Sequence, residues 1–488
     1  MLPSHLCFSR CIALGISLTC LLQIHTSADS LAFSPPVRSP GGITSQPAIT
    51  NISQGANVTL SWFGLQGPYQ IQSSPDTLTW SNLGTATRSP ATVPTSENSA
   101  FFRVIGSEPN YAGAAVCLMC HAESHQNWAD TKHAYAIESL AAIGQENNPY
   151  CVACHTVGYG ANSGFKSTQT TPHLAGVQCE NCHGPAANHA GNPTDPSLIP
   201  IRTVSAVVCG GCHTDAHHPT YDEWSVSRHG NALAGLKASG HASDYCLSCH
   251  SEDYRYAVAN NLPAIPTIQT AQLSIECSTC HAPHGGVAQD HLIRKPLDLL
   301  CGECHTQGEA TLGGTPHHPQ FEMLKGIGAF QADGSPLVQP HPHTAIAKAC
   351  AQCHVVQHHV DSPNDGNPNV TGHTFNPFDD SIHPDLSNQY GGCVECHSIT
   401  PAFEARRTVF QELIAEQIDQ LRPYFTPGNP SYIDPASLPE MDQNRWETAR
   451  FNVLFVEADK SGGMHNFENA RVALSIAKNI FISLETTP

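Results

Sequence analysis

The sequence has little charge, little methionine and few long apolar runs, and each shortage excludes a class of protein. Only 13% of its 488 residues are charged, about half the usual share in globular proteins. The 22 Lys and Arg against 41 Asp and Glu give a formal net charge of −19, which disfavours nucleic-acid binding because phosphate contacts need basic side chains. Beyond the N-terminal region, no apolar run reaches the roughly 18 residues of a membrane-spanning helix. We therefore expect a soluble mature protein.

The N-terminal residues 1–28 have the pattern of a secretory signal peptide. Arg10 supplies the basic start, Cys11 to Ile24 is mostly apolar, and Thr26-Ser-Ala28 fits a cleavage site. A retained membrane anchor is the alternative, although the apolar run is short for a bilayer. Export predicts a periplasmic, extracellular or cell-surface location.

Cysteine and histidine, in contrast, are abundant, at 21 and 30 residues. Three cysteines lie in the predicted signal peptide, and all the others form C-x-x-C pairs that are followed at once by histidine. The nine motifs are Cys117/Cys120/His121, Cys151/Cys154/His155, Cys179/Cys182/His183, Cys209/Cys212/His213, Cys246/Cys249/His250, Cys277/Cys280/His281, Cys301/Cys304/His305, Cys350/Cys353/His354 and Cys393/Cys396/His397.

The C-x-x-C-H pattern is typical of covalent c-type haem attachment. The two thiols form thioethers with the porphyrin, and the adjacent histidine binds the iron as proximal ligand. Structural zinc sites, thioredoxin-like redox disulfides and plain disulfides also use C-x-x-C, but none of them requires the histidine. The sequence therefore predicts nine c-type haems over residues 111–400, which form most of the core there.

Further histidines are available as second axial ligands. Methionine is scarce, which argues against His/Met ligation and favours two histidines per iron. Besides the nine motif histidines, the predicted metal ligands are His133, His189, His229, His284, His317, His343 and His373. Weaker candidates are His125, His173, His291, His318, His341, His358, His359 and His465. His133 and His229 both follow a tryptophan at the spacing Trp-x₄-His.

Three segments resemble the multihaem cytochromes c related to hydroxylamine oxidoreductase, its tetrahaem acceptor cytochrome and pentahaem nitrite reductase. They are Cys151–Tyr159, Gly176–Pro185 with the following His189, and the Trp-x₄-His segments. The resemblance covers about residues 115–400, and Gly463–Asn466 before a last helix is also similar. It implies a mostly α-helix and coil fold around closely packed haems. The family includes both electron carriers and enzymes, so membership alone does not decide function.

Two family features are missing from this sequence. The nitrite-reducing members replace one motif histidine by lysine, whereas all nine motifs here end in histidine. The cross-linked tyrosine of hydroxylamine oxidoreductase has no local motif here. The first difference lowers the weight of a nitrite-reducing role, and Tyr390, Tyr424 and Tyr432 stay unassigned possibilities for the cross-linked tyrosine.

The flanking regions have different patterns. Residues 31–110 contain no Cys or His, and their short alternating runs predict a small β-sandwich that resembles fibronectin type III or immunoglobulin-like modules, with Trp62 and Trp80 in its core. Residues 401–488 predict a C-terminal helical region. One helix there is predicted to end at Pro423, a second spans 443–458, and a third runs from Phe467 to Leu484 with Asn466 as N-cap.

Two functions fit these observations. The first is a secreted cytochrome that carries electrons through nine mostly bis-histidine haems. The second is an oxidoreductase that acts on a small nitrogen or sulfur compound, such as nitrite, hydroxylamine or tetrathionate, at one five-coordinate haem. The acidic charge predicts redox partners with basic docking patches, which include membrane-bound quinol oxidase complexes and other multihaem cytochromes. Association of the chain into a homo-oligomer also fits the sequence.

Overall fold

The computed structural model describes most of the chain between residues 101 and 486. The described residues are 10–14, 17–23, 48–54, 57–63, 66–86, 91–94, 101–200, 202, 204–215, 218–286, 291–308, 311–348, 350–357, 370–377, 393, 396–398 and 400–486. His358 and His359 lie outside them.

The N-terminal region forms two antiparallel β-sheets. The strands are β1 Arg10–Leu14, β2 Ser17–Gln23, β3 Ala48–Gln54, β4 Asn57–Phe63, β5 Gln66–Ser74, β6 Ser81–Ala86, β7 Ala91–Pro94 and β8 Phe101–Ser107. One sheet has the order β1-β2-β8-β5-β6 and the other β3-β4-β7. Strands β1 and β2 lie inside the predicted signal peptide, which stays a prediction.

Alternating side chains from both sheets share one apolar core. In β8 the burial alternates, so that Phe102 and Val104 are fully buried. Trp62 of β4 is 1% exposed and meets Tyr69 of β5 edge-on, with ring centres 5.0 Å apart. The N-terminal β-structure of the predicted fold class is therefore confirmed, whereas the bounds 31–110 and the likeness to fibronectin type III or immunoglobulin modules stay predictions. The prediction was wrong for Trp80, which is only half-buried and lies outside the apolar core. Its ring packs under the Arg103 guanidinium, 4.2 Å from the ring centre.

The motif-bearing region consists of short helices joined by turns. Its α-helices are α1 Ala114–Cys117, α2 Ala122–Ala129, α3 Ala136–Ala141, α4 Pro149–His155, α5 Cys179–His183, α6 Ala187–Gly191, α7 Ala206–Gly210, α8 Thr220–Val226, α9 Ala232–Ala238, α10 Leu247–His250, α11 Glu252–Ala259, α12 Cys277–Cys280, α13 Leu297–Gly302, α14 Gln320–Lys325 and α15 Ala351–His354. The described residues of this region and of the C-terminal region also form 3₁₀ turns, at Pro172–Leu174, Pro196–Leu198, Asp244–Cys246, Pro342–Ala345, Arg422–Phe425 and Pro435–Ser437.

Three long helices follow, which are α16 Pro401–Leu421, α17 Glu440–Asp459 and α18 Phe467–Glu485. The N-cap prediction is confirmed, because the Asn466 side chain accepts a hydrogen bond from the Asn469 N–H at 3.0 Å. Helices α17 and α18 bury a continuous set of apolar side chains, among them Phe455 and Phe481. The predicted fold class, mostly helix and coil with an N-terminal β-sandwich and C-terminal helices, is confirmed.

The chain divides into two compact units. One comprises Met1–Ser225 and His229–Arg294, and the other Val226–Arg228 and Lys295–Pro488. The motifs from Cys117 to Cys277 belong to the first unit, and those from Cys301, Cys350 and Cys393 to the second. Among the helices that the structure describes, none combines the length and the apolar character that a bilayer crossing requires.

Candidate haem-binding sites

Each motif is a short helical turn. In the Cys117 motif the His121 N–H donates to the Cys117 carbonyl at 2.9 Å. The same bond, at 2.8–3.0 Å, recurs in the motifs that begin at Cys209, Cys277, Cys301, Cys350 and Cys393. Residues i, i+3 and i+4 lie on one face of a helical turn, so this conformation presents both thiols and the imidazole together.

The motif cysteines are thiols rather than disulfides, and each is half-buried or exposed. The exposed ones are Cys120, Cys182 and Cys396, which are all the second cysteine of their motif. Solvent-accessible thiols of this kind can react with the edge of a porphyrin.

The second cysteines differ in their surroundings. Those that are half-buried are Cys154, Cys212, Cys249, Cys280, Cys304 and Cys353. The Cys212 thiol lies 4.0 Å from the Cys154 carbonyl oxygen, and the Cys249 thiol lies 3.8 Å from the Ser248 hydroxyl. The Cys212 and Cys249 thiols therefore lie beside neutral polar groups of the chain.

No protein-only metal site forms around these cysteines. Within the part of the chain that the structure describes, no three Cys, His, Asp or Glu side chains converge as a metal site would require. This holds for the second cysteines, including Cys120, Cys154, Cys212, Cys249, Cys304 and Cys396. Their predicted role as haem-binding residues rests on the motif alone and stays a prediction, as does that of the first cysteines.

Several motif histidines are oriented through Nδ1. His281 donates from Nδ1 to the His291 carbonyl at 2.6 Å, and His155 donates to the Ala136 carbonyl at 2.7 Å. His354 does so to the Phe375 carbonyl at 3.0 Å. A carbonyl only accepts, so Nδ1 carries the proton and Nε2 keeps the lone pair that binds a metal.

The rings of motif histidines lie opposite other histidines at a recurring distance. Metal–imidazole bonds are about 2 Å long and a ring centre lies about 1 Å further back, so two imidazoles on opposite sides of one metal have centres about 6 Å apart. The observed pairs are His183 with His284 at 6.0 Å, His354 with His465 at 6.1 Å, His305 with His318 at 6.2 Å and His397 with His343 at 6.3 Å. These residues therefore fit a bis-histidine metal group.

His213 has two such neighbours. The rings of His133 and His218 both lie 6.1 Å from it. The His213–His218 pair has an inter-ring angle of 71°, which equals the angle of the His305–His318 pair. Burial lowers the pKa of His133, and its neighbour His155 lowers that pKa further, so His133 borders a second motif as well.

Motifs distant in sequence also meet through their first thiols. The Cys117 thiol contacts that of Cys179, and the Cys209 thiol contacts that of Cys277. The Cys301 and Cys350 thiols are in contact as well. Such contacts bring the attachment edges of two motifs side by side, as closely packed porphyrins require.

The first six motifs form two copies of one structural frame. The Trp128 indole N–H donates to the Val177 carbonyl at 2.9 Å, and the Trp224 indole N–H donates to the Ile275 carbonyl at 2.7 Å. In both copies the donor belongs to the Trp-x₄-His segment and the acceptor lies two residues before the third motif. The Trp-x₄-His spacing that the two segments share thus places an equivalent indole hydrogen bond in each copy.

The comparison with family models matches this arrangement. The model of cytochrome c554 and c-prime matches residues 116–184 and 300–372, and the doubled CXXCH motif matches residues 272–310. Over these residues the chain matches multihaem c-type cytochromes. Its resemblance to this family is confirmed, and c-type haem binding by C-x-x-C-H motifs follows from it.

Two curated relatives and one solved structure are similar to this chain. Multiheme cytochrome MtrA of Shewanella baltica is 26% identical over 310 residues, which are 60% of this chain and 79% of MtrA. Cytochrome c-554 of Nitrosomonas europaea is 33% identical over 103 residues, which are 18% of this chain and 44% of that protein. The outer cell wall cytochrome OcwA has a TM-score of 0.57 and 19% identity, covers 76% of this chain with 99% of its own, and shows the same fold.

Three histidines that face a motif histidine had little or no place among the predicted ligands. His218 was not a candidate, and His318 and His465 were only weaker candidates. A signal for the first two is present in the sequence, since each is the second histidine of a His-His-Pro segment. His318 also has a left-handed backbone with φ 55°, a conformation that is rare outside glycine. For His465 the signal is its place in Gly463–Asn466, the segment before the last helix that is similar to the family.

The remaining predicted ligands take other places in the structure. His189 lies in α6 with its Nδ1 buried, and His229 is half-buried. His317 is exposed, with its ring 4.0 Å from that of His318, and His373 donates from Nδ1 to the Thr371 carbonyl at 3.0 Å. Their binding to iron stays a prediction.

In each copy, one buried side chain just before the third motif accepts a main-chain hydrogen bond from a residue just before the first motif. This side chain is the amide of Gln178 in one copy and the carboxyl group of Glu276 in the other. Gln178 accepts the Ala114 N–H at 2.6 Å, and Glu276 accepts the Ala206 N–H at 2.5 Å. Both precede a motif cysteine directly. Burial raises the pKa of Glu276 to about 7, and this site therefore titrates near neutrality whereas its amide counterpart does not.

Proposed function

We propose that this cytochrome is exported and carries electrons through nine covalently bound haems. Haem iron takes up and releases single electrons, which is the chemistry that each bound group supplies. The cysteines of each motif attach the porphyrin, and the motif histidine provides the proximal imidazole. The observation that carries the proposal is the recurring 6.0–6.3 Å separation between facing imidazoles.

The spare histidines fill the second axial position. We assign His284 to the iron of His183, His318 to that of His305, His343 to that of His397 and His218 to that of His213. His133, which borders His155, serves the second motif. Two imidazoles leave no coordination site for a substrate, which favours electron transfer over catalysis.

Charge and the known relatives support an extracytoplasmic role with protein partners. The formal charge of −19 favours partners with basic docking patches and a salt-dependent association. OcwA is an outer cell wall cytochrome, which supports export of this chain. Candidate partners remain membrane-bound quinol oxidase complexes, other multihaem cytochromes and a second copy of the chain.

The first experiment counts haems and open sites together. Intact-mass measurement of the purified holoprotein should give nine haem masses above the polypeptide, and the double variant Cys301→Ala/Cys304→Ala should give eight. Electron paramagnetic resonance should show low-spin iron that cyanide and nitrite leave unchanged. High-spin iron that binds these anions would contradict the carrier proposal and would favour the oxidoreductase.

A further inference from the structure

The turn between α17 and α18 presents a histidine to the motif at Cys350. Helix α17 ends at Asp459, Lys460 takes a left-handed backbone with φ 60°, and Asn466 caps α18. His465 lies directly before that cap. The turn is fixed at both ends, because the Gln320 side chain donates to the Asp459 carbonyl at 3.1 Å and the Asn466 side chain donates to the Gln339 carbonyl at 2.7 Å.

The His465 ring faces the ring of His354. The centres are 6.1 Å apart and the planes are inclined by 47°. Both rings are held through Nδ1, which donates to the Phe375 carbonyl in His354 and to the Asp459 carboxylate in His465. Each imidazole therefore keeps the lone pair of Nε2 for a metal.

The acceptor of the His465 proton differs from those of the motif histidines. The Asp459 carboxylate lies 2.6 Å from Nδ1 and its side chain is 1% exposed. The Ser461 hydroxyl donates to the second oxygen of that carboxylate and also accepts the His465 N–H at 3.2 Å. His155, His281 and His354 donate instead to neutral main-chain carbonyls.

A buried carboxylate on Nδ1 pulls the proton from the ring and makes Nε2 a stronger donor to a metal. A stronger donor stabilises the ferric state more than the ferrous state, and this lowers the reduction potential. The negative charge acts in the same direction, because it lies in a poorly screened interior.

We infer that His465 is the second axial ligand of the haem attached at Cys350 and Cys353, and that Asp459 is a positioning residue that lowers the potential of this haem. The inference rests on the proposed function, since it requires a haem at this motif. The haem at this motif would then be held preferentially in its oxidised, ferric state.

The test uses the full-length holoprotein with two variants and a control. Asp459→Asn keeps the shape of the side chain and removes its charge. Asp434→Asn is the matched control, because Asp434 also caps a short turn by accepting the Ala436 N–H at 3.0 Å and has no histidine partner in that contact. His465→Gly removes the ligand itself.

Spectroelectrochemical titration should show that Asp459→Asn raises the reduced-to-oxidised ratio of one haem by about tenfold at a fixed potential, or about 59 mV for one electron. Asp434→Asn should leave all the potentials unchanged. His465→Gly should convert one low-spin iron to high spin, and added imidazole should restore the low-spin signal.

The outcomes separate this inference from the proposed function. A complete set of nine haems with an unchanged potential distribution in Asp459→Asn would overturn the role of Asp459. Unchanged low-spin iron in His465→Gly would overturn the ligand assignment. A wild-type protein that lacks a haem at Cys350 and Cys353 would instead contradict the proposed function.

Discussion

The C-terminal helices and the motif-bearing segments bury different kinds of surface. Helices α17 and α18 cover large side chains completely, among them Phe451, Phe455 and Phe481. Around the motifs the apolar clusters are small, such as the one with Leu233 and Leu247, and the motif thiols remain half-buried or exposed. The same chain therefore contains one region with a conventional core and one whose polypeptide core is incomplete.

The two regions therefore differ in the source of their folding free energy. Packed aliphatic and aromatic side chains stabilise the C-terminal helices by removing apolar surface from water. In the motif region we expect bound porphyrins to supply the missing apolar volume, which would couple haem attachment to folding. Each of the following experiments acts on one side of this contrast.

The largest effect is expected when haem attachment is prevented. Expression in a host without cytochrome c maturation should leave residues 114–283 without protected amides, whereas residues 440–485 should keep a helical core. Hydrogen exchange read by mass spectrometry measures both regions in one sample. Equal protection of the two regions in the haem-free chain would contradict the contrast.

A core truncation tests the conventional region. Phe481→Ala removes a fully buried ring that stacks on Tyr424 at 5.1 Å, and it should lower the free energy of unfolding by about 3–5 kcal/mol. The adjacent Ile482 is 44% exposed, and Ile482→Ala should cost less than about 1 kcal/mol. Denaturant unfolding of the holoprotein, followed by circular dichroism, compares the two. A cost that is similar for both variants would contradict the packing described for α18.

The two copies of the motif frame differ in one titrating group. The pKa of Glu276 is raised to about 7 from an ordinary 4.5, so the folded state favours the protonated carboxyl. That stabilisation is complete below pH 4.5 and is lost as the pH rises through 7, by an amount on the order of 1–3 kcal/mol. Unfolding measured from pH 4.5 to 8.5 should therefore show a slope in the wild type.

Exchanging the two side chains provides the control. Glu276→Gln should remove that slope, because glutamine keeps the acceptor oxygen for the Ala206 N–H and cannot ionise. Gln178→Glu should introduce a second slope of the same sign. A pH dependence that persists in Glu276→Gln would assign it to another group.

The smallest change in unfolding free energy is expected at the two tryptophans of the duplicated frame, Trp128 and Trp224. Trp224→Phe keeps the ring but deletes the indole N–H that donates to the Ile275 carbonyl, and Trp128→Phe does the same at Val177. Each should cost about 1 kcal/mol, since one buried acceptor loses its donor. An equal loss of unfolding free energy in the two variants would support the equivalence of the two copies. A loss in only one variant would contradict that equivalence.

Sequence patterns predicted the features that depend on short spacing. The motifs, the N-cap Asn466 and the long C-terminal helices are all set within a few residues, and the structure has them as expected. Facing imidazoles depend on chain segments far apart, as with His354 and His465, and no local pattern encodes such an approach. Trp80 was misjudged because an aromatic residue in a strand-rich segment also packs against a cation, here Arg103.

The duplicated frame has a consequence for how such a chain changes length. Each copy closes its own set of internal hydrogen bonds, from the indole of Trp128 or Trp224 to the residue capping its last motif. Duplication of one copy would therefore repeat this set of internal hydrogen bonds, while pairs such as His183–His284 and His133–His213 join one copy to the next. Three motifs could therefore be gained or lost together as one unit of the chain.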